Sequence, residues 1–105
     1  MARMEQGRLV VYDNLGFESR TVSTSAVGLS SIPANDIVYY FTVSVVTEEV
    51  RVRADGTNPT ATVGYLLPTG SVTTFYINPS SLKLIRDTGA GGDAVVEVLY
   101  FGVNQ

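Results

Sequence analysis

The sequence predicts an all-β fold, a compact β-sandwich or jelly-roll-like small barrel of about seven to eight short antiparallel strands. Three observations predict it: apolar and polar residues alternate in short runs, turn residues separate those runs, and no run has the period of an amphipathic helix. The chain has 105 residues, of which 45% are hydrophobic. That is enough for one domain with a core of its own.

The clearest alternation lies in residues 37–54. Between 37 and 46 every odd position is apolar, so Ile37 and Tyr39 are predicted to face the core with the later odd positions. A tight reversal at Thr47 and Glu48 is predicted to join this strand to a second one in a hairpin. In the second strand Val50, Val52 and Ala54 are expected to point inward.

The N-terminal residues 1–16 are predicted to form an arm with a first short strand at 8–12, bound to a partner. Asp13, Asn14 and Gly16 are typical of a turn after that strand. Residues 17–105 are predicted to form the sandwich domain. Its first strand, at 17–25, is rich in Ser and Thr, which favours an edge or a partner-facing position.

Later segments continue the β pattern. Pro68 and Gly70 predict a turn, because proline presets one backbone angle and glycine accepts a positive one. A bulge in the strand at 82–86 is expected to let both Leu84 and Ile85 be buried. The remaining expectations are short strands at 61–67 and 71–77, a glycine-rich hairpin loop at 87–93 and an apolar strand at 94–101.

The composition excludes several classes of function. Histidine and cysteine are both absent, which removes the commonest proton shuttle, thiolate metal ligands and cysteine nucleophiles. We therefore expect no catalytic, cofactor or metal site and no small-molecule substrate. The net charge is −3 and basic residues are scattered, so nucleic acid is not an expected partner. No apolar run has the length of a membrane-spanning helix or a signal peptide.

The segment 51–60, RVRADGTNPT, is the most distinctive. Asp55 is positioned to accept hydrogen bonds from backbone N–H groups two residues on, and Gly56 suits a backbone angle that other residues avoid. A self-satisfied structural loop is the leading interpretation, formed by Asp55, Gly56, Thr57, Pro59 and Thr60. Cation binding is the alternative, although the run lacks the alternating acidic ligands of a calcium loop.

Arg51 and Arg53 are expected on the outer side of their strand. They are interpreted as partners of Glu48, Glu49 or Glu97, or as contacts to another subunit. Six tyrosines raise a further possibility, a platform on which sugars stack. A glycan-binding signal abolished by Tyr40→Ala or Tyr65→Ala would favour that carbohydrate-binding alternative.

Residues 51–70 resemble a class of small virion proteins of tailed bacteriophages. Their shared pattern, R-x-R-x-D-G-T-x-P-T-x-x-x-G-x-L-L-x-x-G, is matched by RVRADGTNPTATVGYLLPTG. The class continues with L-x-x-I-R at 82–86, a glycine and acidic turn at 87–93 and a terminal strand at 95–101. The resemblance extends over residues 32–101, about two thirds of the chain.

The resemblance implies a non-enzymatic virion component, assembled in the bacterial cytoplasm. Capsid decoration or cement is the first expectation and a head–tail connector or tail protein the second. A carbohydrate- or receptor-binding module, which the tyrosines suggest, stays open as the rival to the virion role. The expected partners are the major capsid protein, other virion proteins and further copies of the chain. The expected contacts are Arg8, Leu9, Val10 and Tyr12 in the arm, with Arg51 and Arg53 as secondary candidates.

Overall fold

The computed structural model describes residues 2–5 and 8–104, with backbone only for 2–5 and 8–10. The fold is all-β, with 52% of residues in strands and 3% in helical conformation. The strands are β1 (Ala2–Glu5), β2 (Arg8–Val11), β3 (Asp13–Val22), β4 (Val27–Gly28), β5 (Ile37–Thr47), β6 (Val50–Arg53), β7 (Tyr65–Leu67), β8 (Val72–Phe75), β9 (Lys83–Arg86) and β10 (Ala94–Val103). A 3-10 turn at Pro79–Ser81 precedes β9.

Two antiparallel sheets form a sandwich in the described part of the chain. The first sheet has the order β3-β10-β5-β8 and the second has the order β4-β9-β6-β7. β1 and β2 pair with each other as a hairpin, from Ala2 opposite Val11 to Glu5 opposite Arg8. The all-β prediction is therefore confirmed, and the architecture is consistent with a small β-sandwich.

The core lies between the two sheets. β10 shows most clearly why, because every second residue of this strand is fully buried while its neighbours face outward. Removing a valine side chain such as that of Val96 or Val98 from water stabilises the fold by about 1.5–3 kcal/mol. The buried cluster consists of Val22, Phe41, Val43, Val45, Val50, Val52, Leu67, Leu82, Leu84, Ala94, Val96, Val98 and Tyr100.

The predicted alternation along β5 is wrong at its beginning. Ile37 and Tyr39 are exposed, while Tyr40 is buried. The cause is a register shift against β10, where Tyr40 pairs with Phe101 but Val38 pairs with Gly102, so that Tyr39 is an extra residue. Such a bulge changes the phase of the strand and redirects the side chains before it.

The predicted hairpins at 37–54 and 87–93 are also wrong. β5 and β6 belong to different sheets, and so do β9 and β10, so both segments cross from one layer to the other. Glu48 makes the first crossing with a φ of 57°, an angle that non-glycine residues rarely adopt. Ala54 lies beyond the end of β6 and is exposed, contrary to expectation.

Two local expectations at the edges of the sheets need correction. The turn expected at Asp13, Asn14 and Gly16 is part of β3, and the Asn14 side chain accepts a hydrogen bond from the Gly16 N–H at 3.1 Å. Leu15 is the extra residue of a bulge there, because Gly16 pairs with Tyr100 and Asn14 with Phe101. Residues 13–16, predicted as part of the arm, thus lie within the first sheet.

The strand predicted at 82–86 contains no bulge in its pairing with β6. Leu84 and Ile85 are nevertheless both buried, as expected. Since neighbouring side chains point to opposite faces, Leu84 faces the core and Ile85 faces the other side of the second sheet.

Candidate interaction surface

The outer face of the first sheet carries exposed apolar side chains. Phe17 pairs with Leu99 across β3 and β10, and Leu99 pairs in turn with Thr42 on β5. Phe17 is 56% exposed and Val72, on the edge strand β8, is 65% exposed. Among the outward positions of the described strands in this sheet, Glu97 carries the one charge. We call this surface, formed by Phe17, Leu99, Val72 and the Thr and Ser residues between them, the apolar face.

An aromatic cluster stands at the end of the apolar face where β10 ends. Tyr40 is its centre: it stacks on Phe101 with ring centroids 4.9 Å apart and lies 5.6 Å from Tyr76. Tyr12 lies 5.9 Å from Tyr40 and 4.9 Å from Tyr39. Burial, and then the neighbouring Tyr76 and Tyr12, raise the pKa of Tyr40 above its usual value.

An open groove of about 430 Å³ borders the aromatic cluster. Tyr39 and Tyr76 form its aromatic sides, and Val38 of β5 together with the segments before β5 and after β8 supplies the rest. The other lining residues include Pro33, Asp36, Asn78 and Pro79. The groove therefore combines exposed aromatic rings with a carboxylate and a carboxamide.

The predicted arm contacts lie only partly within the described residues. Arg8, Leu9 and Val10 belong to β2, but their side chains lie outside the described residues. Tyr12 is described, and it packs against Tyr39 and Tyr40. The structure thus connects the beginning of the sandwich to the aromatic cluster.

Arg51 and Arg53 lie on β6 in the second sheet, away from the apolar face. Arg51 donates from Nε to Asp87 at 2.6 Å and from Nη1 to the carbonyl oxygen of Gly64 at 3.0 Å. Arg53 donates to both carboxylate oxygens of Asp55, at 2.5 and 3.2 Å. Both arginines thus pair within the chain, with carboxylates other than the expected Glu48, Glu49 and Glu97.

The paired carboxylates are held in their charged form. The Gly89 N–H, and then the Arg51 side chain, keep the pKa of Asp87 below its ordinary value. For Asp55 the hydrogen bond from Arg53, and then that from the Thr57 N–H, lower the pKa. Hydrogen bonds to a charged carboxylate are stronger than those between neutral groups, so these carboxylates are suited to holding their loops in place.

The loop at 55–60 has the self-satisfied geometry that the sequence predicts. Asp55 accepts a hydrogen bond from the Thr57 N–H at 3.2 Å, and Gly56 has a φ of 82°. Thr60 Oγ1 accepts one from the Val63 N–H at 3.0 Å, and Pro59 is buried. At Gly64 the backbone passes close to Pro59. A Cβ at position 64 would lie 3.1 Å from the Cβ of Pro59.

No sequence pattern singles out Glu18, yet it is the buried carboxylate with the most hydrogen-bond partners among the described residues. It accepts hydrogen bonds from the Ser30 N–H and hydroxyl, both at 2.7 Å, from the Ser31 N–H at 2.9 Å and from the Tyr100 hydroxyl at 2.7 Å. Burial raises the pKa of Glu18, but these hydrogen bonds together bring it below the ordinary value. With every partner inside the fold, this carboxylate ties β3 to β10 and to the loop before β5.

Comparisons with protein-family models, with curated proteins and with solved structures found no match. Among residues 11–104, whose side chains the structure describes, no three Asp or Glu residues are grouped so that they could hold a metal ion. The described part of the chain also contains no helix of the length and hydropathy needed to cross a membrane. The apolar face, with its aromatic cluster and groove, is the surface most suited to recognition.

Proposed function

We propose that this chain is a non-enzymatic structural protein of a tailed-bacteriophage virion, which decorates or cements the capsid. The observation that carries the proposal is the apolar face on the β3-β10-β5-β8 sheet. The resemblance of residues 51–70 to small phage virion proteins supplies the biological setting, and the sandwich is the fold that this resemblance implies.

The apolar face has the composition of a protein contact. Large apolar side chains at Phe17, Leu99 and Val72 are exposed among hydroxyl-bearing neighbours, with Glu97 as the charge. Exposed apolar patches on soluble proteins mark interaction sites, and charged residues are depleted at the centre of interfaces. Docking of this face on a capsid subunit would remove apolar surface from water. It would not separate the two partners of any described ion pair.

One edge of the first sheet, at β3, is protected against unspecific strand addition. β3 is an edge strand, and both Glu18 and Arg20 occupy positions on it opposite the buried Val98 and Val96. Inward-pointing charged residues on an edge strand discourage pairing with a further strand. We therefore infer that the partner docks on the face, while the β1-β2 hairpin, which leads into β3 through Tyr12, adds a second contact.

The position in the virion follows from copy number. Mass spectrometry of purified particles should find this protein in numbers comparable to the major capsid protein if it decorates the shell. A small ring-like copy number would place it instead in a head–tail connector or the tail, where the same contact physics applies. Absence from purified particles would overturn the proposal.

The docking surface is tested with capsids that lack the protein. Phe17→Thr and Leu99→Thr keep β-propensity while removing apolar surface, and we expect each to weaken co-sedimentation with capsids by about tenfold or more. Tyr65→Thr is the matched control, since Tyr65 is 71% exposed but lies in the second sheet. Equal losses in all three variants would contradict docking through the apolar face.

The hairpin contact has a separate test. Deleting residues 1–11 leaves β3 and the sandwich strands in the chain. We expect the shortened protein to fold and to bind capsids more weakly. Unchanged binding would remove the hairpin from the interface and leave the apolar face as the contact.

A further inference from the structure

We propose that the groove between Tyr39 and Tyr76 binds a pyranose ring of a glycan. This inference goes beyond the virion role, and it stands on the chemistry of the groove rather than on the apolar face. Four features carry it: two exposed tyrosine rings held in place, polar groups at the rim, a bulge that aims one of the rings, and a suitable volume.

The two rings form a stacking platform of limited mobility. Tyr76 is 65% exposed and its ring contacts that of Tyr40, which is itself buried. Tyr39 is half-exposed and its ring lies 4.9 Å from that of Tyr12. A pyranose presents a flat patch of C–H bonds with slight positive charge, and this patch is attracted to the electron-rich face of an aromatic ring. Rings already fixed by neighbours lose little freedom when such a ligand binds.

The rim supplies partners for sugar hydroxyls. Asn78 Oδ1 accepts hydrogen bonds from the Ser80 N–H at 3.0 Å and the Ser80 hydroxyl at 2.9 Å. These contacts fix the carboxamide, so its Nδ2 donors face away from Ser80 in a defined direction. Asp36 contributes carboxylate oxygens, and a carboxylate accepts several hydrogen bonds at once. Donors and acceptors side by side suit a ligand whose hydroxyl groups both donate and accept.

The bulge in β5 lies next to the groove and determines the direction of Tyr39. Without the extra residue, the alternation would send Tyr39 toward the core, as the sequence predicts. The close approach that permits the bulge depends on Gly102, because a Cβ there would lie 1.8 Å from the carbonyl oxygen of Ile37. β-Bulges commonly re-aim a side chain next to a functional site. Here the bulge turns Tyr39 outward to the groove.

The size of the groove fits a small ligand. Its volume of about 430 Å³ lies within the range of small-molecule sites. A proline-rich peptide is the rival occupant, because such peptides also dock on aromatic grooves. The carboxylate and carboxamide at the rim favour the sugar, since a polyproline segment has no backbone donors to offer Asp36.

The test uses the full chain labelled with ¹⁵N and titrated with maltotriose, cellotriose, chitotriose and galactobiose at millimolar concentration, with hexaproline as the rival probe. We expect at least one sugar to shift the amide signals of Tyr39, Tyr76 and Asn78 saturably. Tyr76→Ala should weaken that binding about threefold to tenfold, the worth of one aromatic stacking contact. Tyr76→Phe, which keeps the ring, should bind within about twofold of the parent.

Tyr65→Ala is the matched control, because Tyr65 is as exposed as Tyr76 but lies outside the groove. Loss of binding in this variant, groove shifts with hexaproline alone, or no shift with any of the four sugars would overturn the proposal. Circular dichroism of each variant shows whether its fold is retained, and Tyr39→Ala gives a second test on the other ring. The isolated chain is used throughout, so the outcome is independent of capsid binding.

Discussion

The hydroxyl of Tyr100 donates a 2.7 Å hydrogen bond to Oε1 of Glu18, joining two residues that are 82 positions apart in the sequence. Tyr100 is fully buried on β10, and Glu18 is 4% exposed on β3. Burial, and then the hydrogen bond and charge of Glu18, raise the pKa of Tyr100 far above its usual value. The pair places a charge-assisted hydrogen bond inside an otherwise apolar core.

Removing the Tyr100 hydroxyl should show how much this hydrogen bond contributes to the free energy of unfolding. Tyr100→Phe keeps the ring among its neighbours and deletes one donor to a charged acceptor, so we expect the free energy of unfolding to fall by about 1.5–3 kcal/mol. Urea denaturation followed by circular dichroism measures it. Tyr65→Phe, on an exposed ring, is the control and should change stability little; a similar loss there would refute the assignment to the buried bond.

Glu18 should make stability depend on acid pH. Its pKa is below the ordinary 4.5 in the folded chain, so its ionised form stabilises the fold above pH 4.5 and this contribution disappears as pH falls through the folded-state pKa. Glu18→Gln keeps the shape but offers one acceptor oxygen instead of two. We expect a loss of about 2 kcal/mol at neutral pH, because buried donors lose their partner.

The measurement is urea denaturation of both proteins over a series of pH values. The stability difference between them should be constant at neutral pH and shrink below pH 4.5. A difference that stays the same throughout the acid range would show that Glu18 does not ionise as described.

Gly102 should tolerate no side chain. A Cβ at this position would lie 1.8 Å from the Ile37 carbonyl oxygen, a backbone atom that cannot rotate away. We expect Gly102→Ala to destabilise the protein by about 3 kcal/mol or more, or to prevent folding. Gly92→Ala is the control, since nothing lies within 4 Å of its Cβ position. Thermal melts of both proteins compare them, and equal melting temperatures would contradict the close packing at the bulge.

Arg51 should set part of the pKa of Asp87. The Gly89 N–H is the first cause of the lowered pKa and Arg51 the second, so Arg51→Met should raise the Asp87 pKa without restoring its ordinary 3.8. Arg53→Met should leave Asp87 unchanged and raise the pKa of Asp55, whose first partner is Arg53. Carboxyl-carbon NMR titrations of the two variants measure both values. The pairing would be overturned if Arg51→Met raised the pKa of Asp55 and Arg53→Met raised the pKa of Asp87.

Local patterns predict a strand best where that strand contains no extra residue, and the register shifts along β10 place the extra residues on its partners β3 and β5. Alternation in residues 94–101 was sufficient because β10 is paired on both sides, so its inward residues are all buried. The local sequence also predicts the turn at Pro68 correctly. The Ser71 N–H donates a hydrogen bond to the Pro68 carbonyl oxygen at 3.1 Å, and Gly70 has a φ of 84°. In both places the deciding interaction is local or repeats along the strand.

Other features depend on contacts that local sequence does not reveal. The phase of Tyr39 is set by Gly102 on another strand, and the reversal at Glu48 has the same signals whether it joins one sheet or two. The groove unites Asp36 with Asn78, which only the pairing of β5 with β8 brings together. Glu18 carried a weak signal, since it shares its strand face with Val22, but its acceptor role needs Tyr100 and Ser30.

The pairing of Asp13 with Gly102 has a practical consequence for anyone who labels this protein. The first and last strands of the sandwich meet there, next to Phe101, which stacks on Tyr40, so a bulky fluorescent label at Asn104 would crowd the proposed sugar groove. Gly92 lies beside Ala94, at the far end of β10. A label inserted at Gly92 would lie at the opposite end of the sandwich and would leave the apolar face and the groove uncovered.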